Sequence, residues 1–219
     1  MKHIATLIAL AAAAVSSQAA TISYDFSNAL ETTEISQTGT LGLFDSSLGT
    51  LTGATLVLNG EAVFVYGGTN TAAQAQRASL TSTTSLFWSS SVAGVNGLIS
   101  SASLDLASSS GVQQYTAGES KSFGPEAGAD SFNYDLSGVL SSLTGTGSFS
   151  VSCDSMSGLT VQGGGGNLAT SQSTQAACGA SIVYTYDATP VVPAVPEPGS
   201  LALVGLALAG AAVARRKKA

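Results

Sequence analysis

The chain has 219 residues, 7 Lys+Arg against 13 Asp+Glu, and one histidine, with a mean hydropathy of +0.33 and only 9% charged residues. Five of the basic residues (Lys2, Arg215, Arg216, Lys217 and Lys218) sit at the two ends and Glu197 lies near the second, so the body, 20–189, sets twelve carboxylates against Arg77 and Lys121. A surface so poor in cations cannot neutralise a phosphate backbone, which excludes nucleic acid as a partner.

The N-terminus has the three parts of a secretory signal. Lys2 and His3 give a polar, positive start, Ile4 to Val15 an apolar core, and Ser17-Gln18-Ala19 a small-x-small cleavage site. The cut is expected after Ala19, with Ala20 as the alternative, making 1–19 a signal peptide too short to span a bilayer as a permanent helix. His3 leaves with it. The mature chain then has no imidazole for a Ser-His-Asp triad or a His-ligated zinc. An exported chain meets an oxidising compartment, so Cys153 and Cys178 are expected to pair; closing a loop of about 25 residues contributes roughly 3 kcal/mol in the chain-entropy picture.

Thr21 to Phe26 alternates apolar and polar residues, the period of a half-buried strand. Ile35 to Phe44 follows, with Leu41 and Leu43 one strand period apart. Leu51 to Leu58 runs into Asn59-Gly60 and then Ala62 to Tyr66, which predicts a hairpin on a type I′ turn. Ala78 to Trp88 reads as one or two strands, with Leu80, Leu86, Phe87 and Trp88 as packing groups. Leu98 to Leu106 places Ala102, Leu104 and Leu106 on one face, and Val112 to Thr116 is a short strand. Ala117 to Asp130, with Gly118, Gly124, Pro125 and Gly128, is the longest predicted loop. Weak strand patterns resume at Ser131 to Leu136 and Val139 to Leu143.

Gly147 to Cys153 turns Phe149, Val151 and Cys153 inward, and Gly163 to Gly166 is a flexible connection. Cys178, Ala180, Ile182, Tyr184 and Tyr186 share one face of a last strand. Both cysteines thus fall on apolar faces. Pro190 and Pro193 make 190–195 a stiff, extended spacer. Many short strands, few helix formers and no heptads predict an all-β fold over 20–189: a single antiparallel β-sandwich, jelly-roll or immunoglobulin-like. A β-helix would need a fixed-period repeat, and none is present.

Few groups suggest chemistry. Lys121, in Ser120-Lys121-Ser122, is a solvated charge rather than the partner of a serine nucleophile. Gly163 to Gly166 lacks the Lys-Ser/Thr of a phosphate loop. Glu119, Glu126, Asp130 and Asp135 match no EF-hand spacing, so neither metal nor cofactor is expected. Trp88 and the tyrosines could stack on sugar rings, but core packing is the simpler role for each.

The end of the chain reads most clearly. Pro196-Glu197-Pro198-Gly199-Ser200 opens an uncharged run to Ala214, and Arg215-Arg216-Lys217-Lys218 closes it. As a single transmembrane helix the run is about 24 Å long, slightly short of a ~30 Å hydrocarbon core. The basic cluster would stay inside and the body outside. Proline, acid, proline, a short apolar helix and a basic tail resemble the PEP-CTERM sorting signal of Gram-negative bacteria over 196–219. The resemblance implies an exosortase-type membrane enzyme as partner, membrane attachment through the helix before processing, and a mature part at the cell surface or in an exopolysaccharide matrix.

A second resemblance lies in the body. Leu43 to Leu56 (LFDSSLGTLTGATL), with Gly145 to Val151 and Val183 to Tyr186, looks like the choice-of-anchor E domain, a secreted bacterial family of unestablished activity. It implies an anchored β-sandwich and no catalytic residues. The expected function is a non-enzymatic, exported surface or extracellular-matrix protein with a structural or adhesive role in a biofilm. A carbohydrate-binding module is the alternative, and a carboxylate-dependent glycoside hydrolase stands third.

Overall fold

Alternation of buried and exposed side chains carries most of the chain, and its longest run is one strand. The computed structural model describes residues 19–189. In order these form β1 (Ala19–Ser27), β2 (Glu31–Thr32), β3 (Ser36–Gly42), β4 (Gly49–Asn70) and β5 (Gln76–Ser90), then α1 (Ala93–Ile99). β6 (Ser103–Tyr115), β7 (Ser120–Asp135), β8 (Ser148–Gly163) and β9 (Leu168–Ala188) follow. β1, β9, β4 and β7 make one antiparallel sheet in that order, with β2 also on β9; β3, β8, β5 and β6 make the second. The spacer 190–195, the sorting segment 196–219 with its expected helix, and residues 1–18 of the signal peptide lie outside the described residues.

The sheets meet face to face over one core. Leu56, Leu58, Phe64 and Tyr66 of β4 and Ala180, Ile182 and Tyr184 of β9 pack against Leu80, Leu86 and Trp88 of β5 and Phe149 and Val151 of β8. β4 and β9, 22 and 21 residues long, pair along their whole length from Gly49↔Ala188 to Asn70↔Leu168. At about 3.3 Å per residue each spans roughly 70 Å as extended chain.

Five expectations from the sequence are corrected. No turn forms at Asn59-Gly60, where β4 passes straight through, paired with Gly179 and Cys178 on one side and Ser131 and Asp130 on the other. Gly60 is required instead for close approach: a Cβ there would lie 2.3 Å from Leu86 Cδ1 and 2.6 Å from Leu104 Cδ2. The expected loop at Ala117 to Asp130 is mostly β7. Its Gly124-Pro125 sits in a bulge opposite Val65, at the sheet edge, where proline's missing N–H leaves no ladder bond unmade. Val139 to Leu143 lies largely in a short 3₁₀ segment, Ser137–Ser142. Val112 to Thr116 is no separate strand but largely the end of β6, and Leu98 and Ile99 belong to α1. Gly163 to Gly166 does connect two strands, carrying β8 across to β9 with all four φ angles positive.

Candidate functional site

The two cysteines are brought together as expected. Cys153 on β8 and Cys178 on β9 form a disulfide with Cα atoms 6.3 Å apart, so the bond joins the two sheets. Both residues are buried in the core. Beside them the edge of β9 changes partner: β1 pairs with Gly179 to Asp187 and β2 with Gln175 and Ala176. In the gap the Cys178 carbonyl accepts from the Asn28 N–H at 3.0 Å. The Cys178 N–H donates to Gln37 Oε1 at 3.0 Å, and Gln37 Nε2 donates to the Ala29 carbonyl at 2.8 Å. A buried β3 side chain thus supplies bonds that the broken ladder lacks. Nothing in the residue pattern singled out Gln37; its role needs the register of β1 and β2.

A second polar seam links β9 to β5. Ser82 and Thr84 are fully buried on β5. Gln172 Nε2 donates to Ser82 Oγ and Thr174 Oγ1, and Thr84 shares a hydrogen bond with Ser157. The Gln172–Ser82 bond joins the two sheets, while Thr84–Ser157 ties β5 to β8 within one, and both buried hydroxyls are satisfied.

Phe44 marks a corner where the start of the β3–β4 connection meets Leu143 to Gly145 and the end of β9. Its N–H donates to the Leu143 carbonyl and its own carbonyl accepts from Gly145. Its ring lies 5.8 Å from that of Tyr184 and 5.1 Å from that of Tyr186. The Tyr184 hydroxyl donates to the Gly42 carbonyl at 2.8 Å. Burial, with Tyr24 nearby second, pushes that phenol well above its ordinary value. Just beyond the corner Asp45 closes a turn by accepting from the Ser47 N–H, which holds its carboxyl low.

The acidic residues considered for calcium do not gather. Glu119 lies just before β7 and Glu126, Asp130 and Asp135 along it, and no group of three His, Cys, Asp or Glu able to hold a metal occurs among the described residues. Glu119 and Asp135 are each turn acceptors. Glu119 takes the Thr116 N–H and hydroxyl, and Asp135 the Ser137 hydroxyl and N–H; these bonds lower both carboxyls. Lys121 pairs with Glu119 at 3.6 Å and lies over the Tyr115 ring. Both charged side chains are partly exposed to solvent.

The outer faces are what remains for recognition. Trp88 is 3% exposed and packs in the core, so it offers no stacking surface. Its neighbour Phe87, grouped with it by sequence as a packing residue, points outward and is 41% exposed. Alternation within Leu86-Phe87-Trp88 could have shown this, since only two of three consecutive strand residues face one way. On the other sheet, an open groove of about 550 Å³ runs over Ala177 and Gly179, bordered by Ser27, Asn28, Asn59, Glu61 and Ser131.

The described part is therefore a disulfide-clamped, two-sheet β-domain with no helix long and apolar enough to cross a membrane among its residues. Its C-terminal strand leads into a segment with a specific identity: residues 194–218 match the PEP-CTERM protein-sorting motif. That motif covers Pro196 to Ser200 and Arg215 to Lys218. It implies recognition by an exosortase-type membrane enzyme and an exported, membrane-anchored precursor processed for surface display. No curated protein matches the chain.

Among solved structures, a particle of infectious bursal disease virus aligns at 14% identity over 88% of this chain and 46% of that one, with a TM-score of 0.17. The Gx strain gives 17% identity over 80% and 37%, also at 0.17, and the Gt strain 14% over 88% and 49%, at 0.18. The chain spans under half the length of these virus chains, and likeness at that level defines no shared fold.

Proposed function

We propose that this is a non-enzymatic structural or adhesive protein of the surface or extracellular matrix of a Gram-negative bacterium. It is exported by its N-terminal signal, with cleavage at Ala19 or Ala20, and sorted by an exosortase. Its body is a choice-of-anchor E type sandwich, of jelly-roll or immunoglobulin-like class, working among exopolysaccharide in a biofilm. One observation carries the reading. The strand that leads into the sorting motif, β9, is hydrogen-bonded to β1 and β4 and covalently tied to β8. A domain held at the point where its anchor attaches is suited to bearing load rather than to turning over a substrate.

Mass spectrometry of the mature protein from its own cells, with and without the exosortase, tests this. The expected result is a chain beginning at Ala20 or Thr21, oxidised at Cys153 and Cys178, and shortened within 194–218 only when the enzyme is present. A chain keeping Arg215 to Ala219 in cells with active exosortase would overturn the processing step.

A further inference from the structure

The outer face of the second sheet is a surface of hydroxyls with one aromatic ring standing out of it. Phe87 on β5 pairs across to Asp154 on β8 and to Ser103 on β6. One strand period away, Ser85 pairs with Met156 and with Asp105. Met156 is 64% exposed and lies diagonal to Phe87, a separation of about 7–8 Å that long side chains bridge. Asp105 is held in place: the Ser85 hydroxyl donates to its Oδ1 and the Ser103 hydroxyl to its Oδ2. Beyond Asp154 the face continues through Ser152, bonded to Thr38 at 2.8 Å.

A flat apolar ring flanked by two carboxylates and a field of hydroxyls is complementary to a pyranose. The sugar's C–H face stacks on the aromatic ring, and its hydroxyl or ammonium donors meet carboxylate acceptors, of which Asp105 is held by two hydroxyls. Charge selects among polysaccharides. Twelve carboxylates against Arg77 and Lys121 repel uronate, sulfate or phosphate polymers. We infer that the face around Phe87, Asp105 and Asp154 binds a non-anionic polysaccharide, with neutral or amino-bearing sugars. This deepens the matrix reading above and depends on it only for where the ligand is met.

The test is affinity electrophoresis of the full chain purified from cells, through gels holding a neutral β-glucan, chitosan or alginate. Retardation is expected in the first two and not in alginate. Phe87→Ala should weaken it at least about tenfold, and Asp105→Asn with Asp154→Asn comparably, while Thr170→Ala on the opposite sheet leaves it unchanged. Phe87 lies outside the core, so an unshifted Tm for its variant separates lost binding from unfolding. Absence of retardation in every gel, equal retardation in alginate, or insensitivity to Phe87→Ala would each overturn the inference. Cell fractionation reads the display hypothesis separately; protein retained in the cytoplasm would end that reading whatever the gels show.

Discussion

Gly60 offers a sharp test of how the two sheets meet. A methyl built on it would lie 2.3 Å from Leu86 Cδ1, 2.6 Å from Leu104 Cδ2 and 3.6 Å from Trp88 Cη2. Carbon atoms pack at about 3.5–4.0 Å, so two fully packed leucines must each retreat by more than about 1 Å. Overpacking typically costs about 1–3 kcal/mol. With two neighbours displaced and Trp88 behind them, Gly60→Ala should cost about 3 kcal/mol, more than the gain of under about 1 kcal/mol from replacing a strand glycine.

Urea unfolding of Gly60→Ala, Leu86→Ala and the double variant decides the cause. Leu86→Ala alone leaves a cavity and costs about 2–5 kcal/mol. In that background the methyl added at Gly60 has room, so the double variant should be less destabilised than the sum by about 1–2 kcal/mol. Had the glycine been needed for a turn, its cost would be the same in both backgrounds. Additivity within about 0.5 kcal/mol would refute the packing argument. Asn59→Ala is a companion control: a mid-strand position on the outer face should lose under about 0.5 kcal/mol, whereas a type I′ turn would lose its favoured residue.

Other substitutions probe the seams. Replacing Cys153 and Cys178 together by Ala should lower stability by about 3 kcal/mol, read as a fall in denaturant midpoint, and a reducing agent should reproduce it. The Tyr115 hydroxyl is buried without a hydrogen-bond partner, so Tyr115→Phe should be neutral or stabilising by about 1 kcal/mol; a loss above that would mean the hydroxyl is satisfied. For Tyr184, the phenol ionises near its ordinary value in the unfolded chain but stays protonated in the folded one. Its contribution is complete below about pH 10 and falls as pH rises from there towards the folded value, by up to about 1.4 kcal/mol per unit. Tyr184→Phe should flatten that limb in a Tm series between about pH 9 and 12, while losing about 1 kcal/mol at neutral pH with the bond to the Gly42 carbonyl. An unchanged alkaline slope would refute the assignment.

What was legible from sequence followed period and chemistry, and what was not followed partners distant in the chain. Phe149, Val151 and Cys153 face the core as their alternation requires, and Cys178, Ala180, Ile182 and Tyr184 do the same. The sorting motif could be read because its meaning lies in covalent order. Asn59-Gly60 misled because a short-range turn signal and a long-range packing need both select glycine, and only β5 and β6 across the core distinguish them. Gly124-Pro125 misled in the same way, since a bulge on an edge strand uses residues that also make loops. Gln37 and Gln172 are ordinary polar residues in the sequence; the bonds that give them their roles span 141 residues in the Gln37–Cys178 contact and 90 in the Ser82–Gln172 pair.

The placement of Cys178 connects stability with anchoring. In the proposed structural role, a load entering the domain at Thr189 would run along β9, which pairs with β4 on one side and, from Gly179 to Asp187, with β1 on the other. Pulled along its own axis, that strand loads its hydrogen bonds together rather than one after another. Should they yield, the ten residues from Gly179 to Ala188 come free before tension reaches Cys178, and from there it passes through the sulfur atoms to Cys153 on β8. β8 is held by β3 and β5, so the second sheet then shares the load. Gln37 adds a bond between the sheets at the same level, from β3 to the Cys178 backbone. The junction of the sheets therefore lies on the strand that leads towards the sorting motif, which is the arrangement the proposed structural role requires.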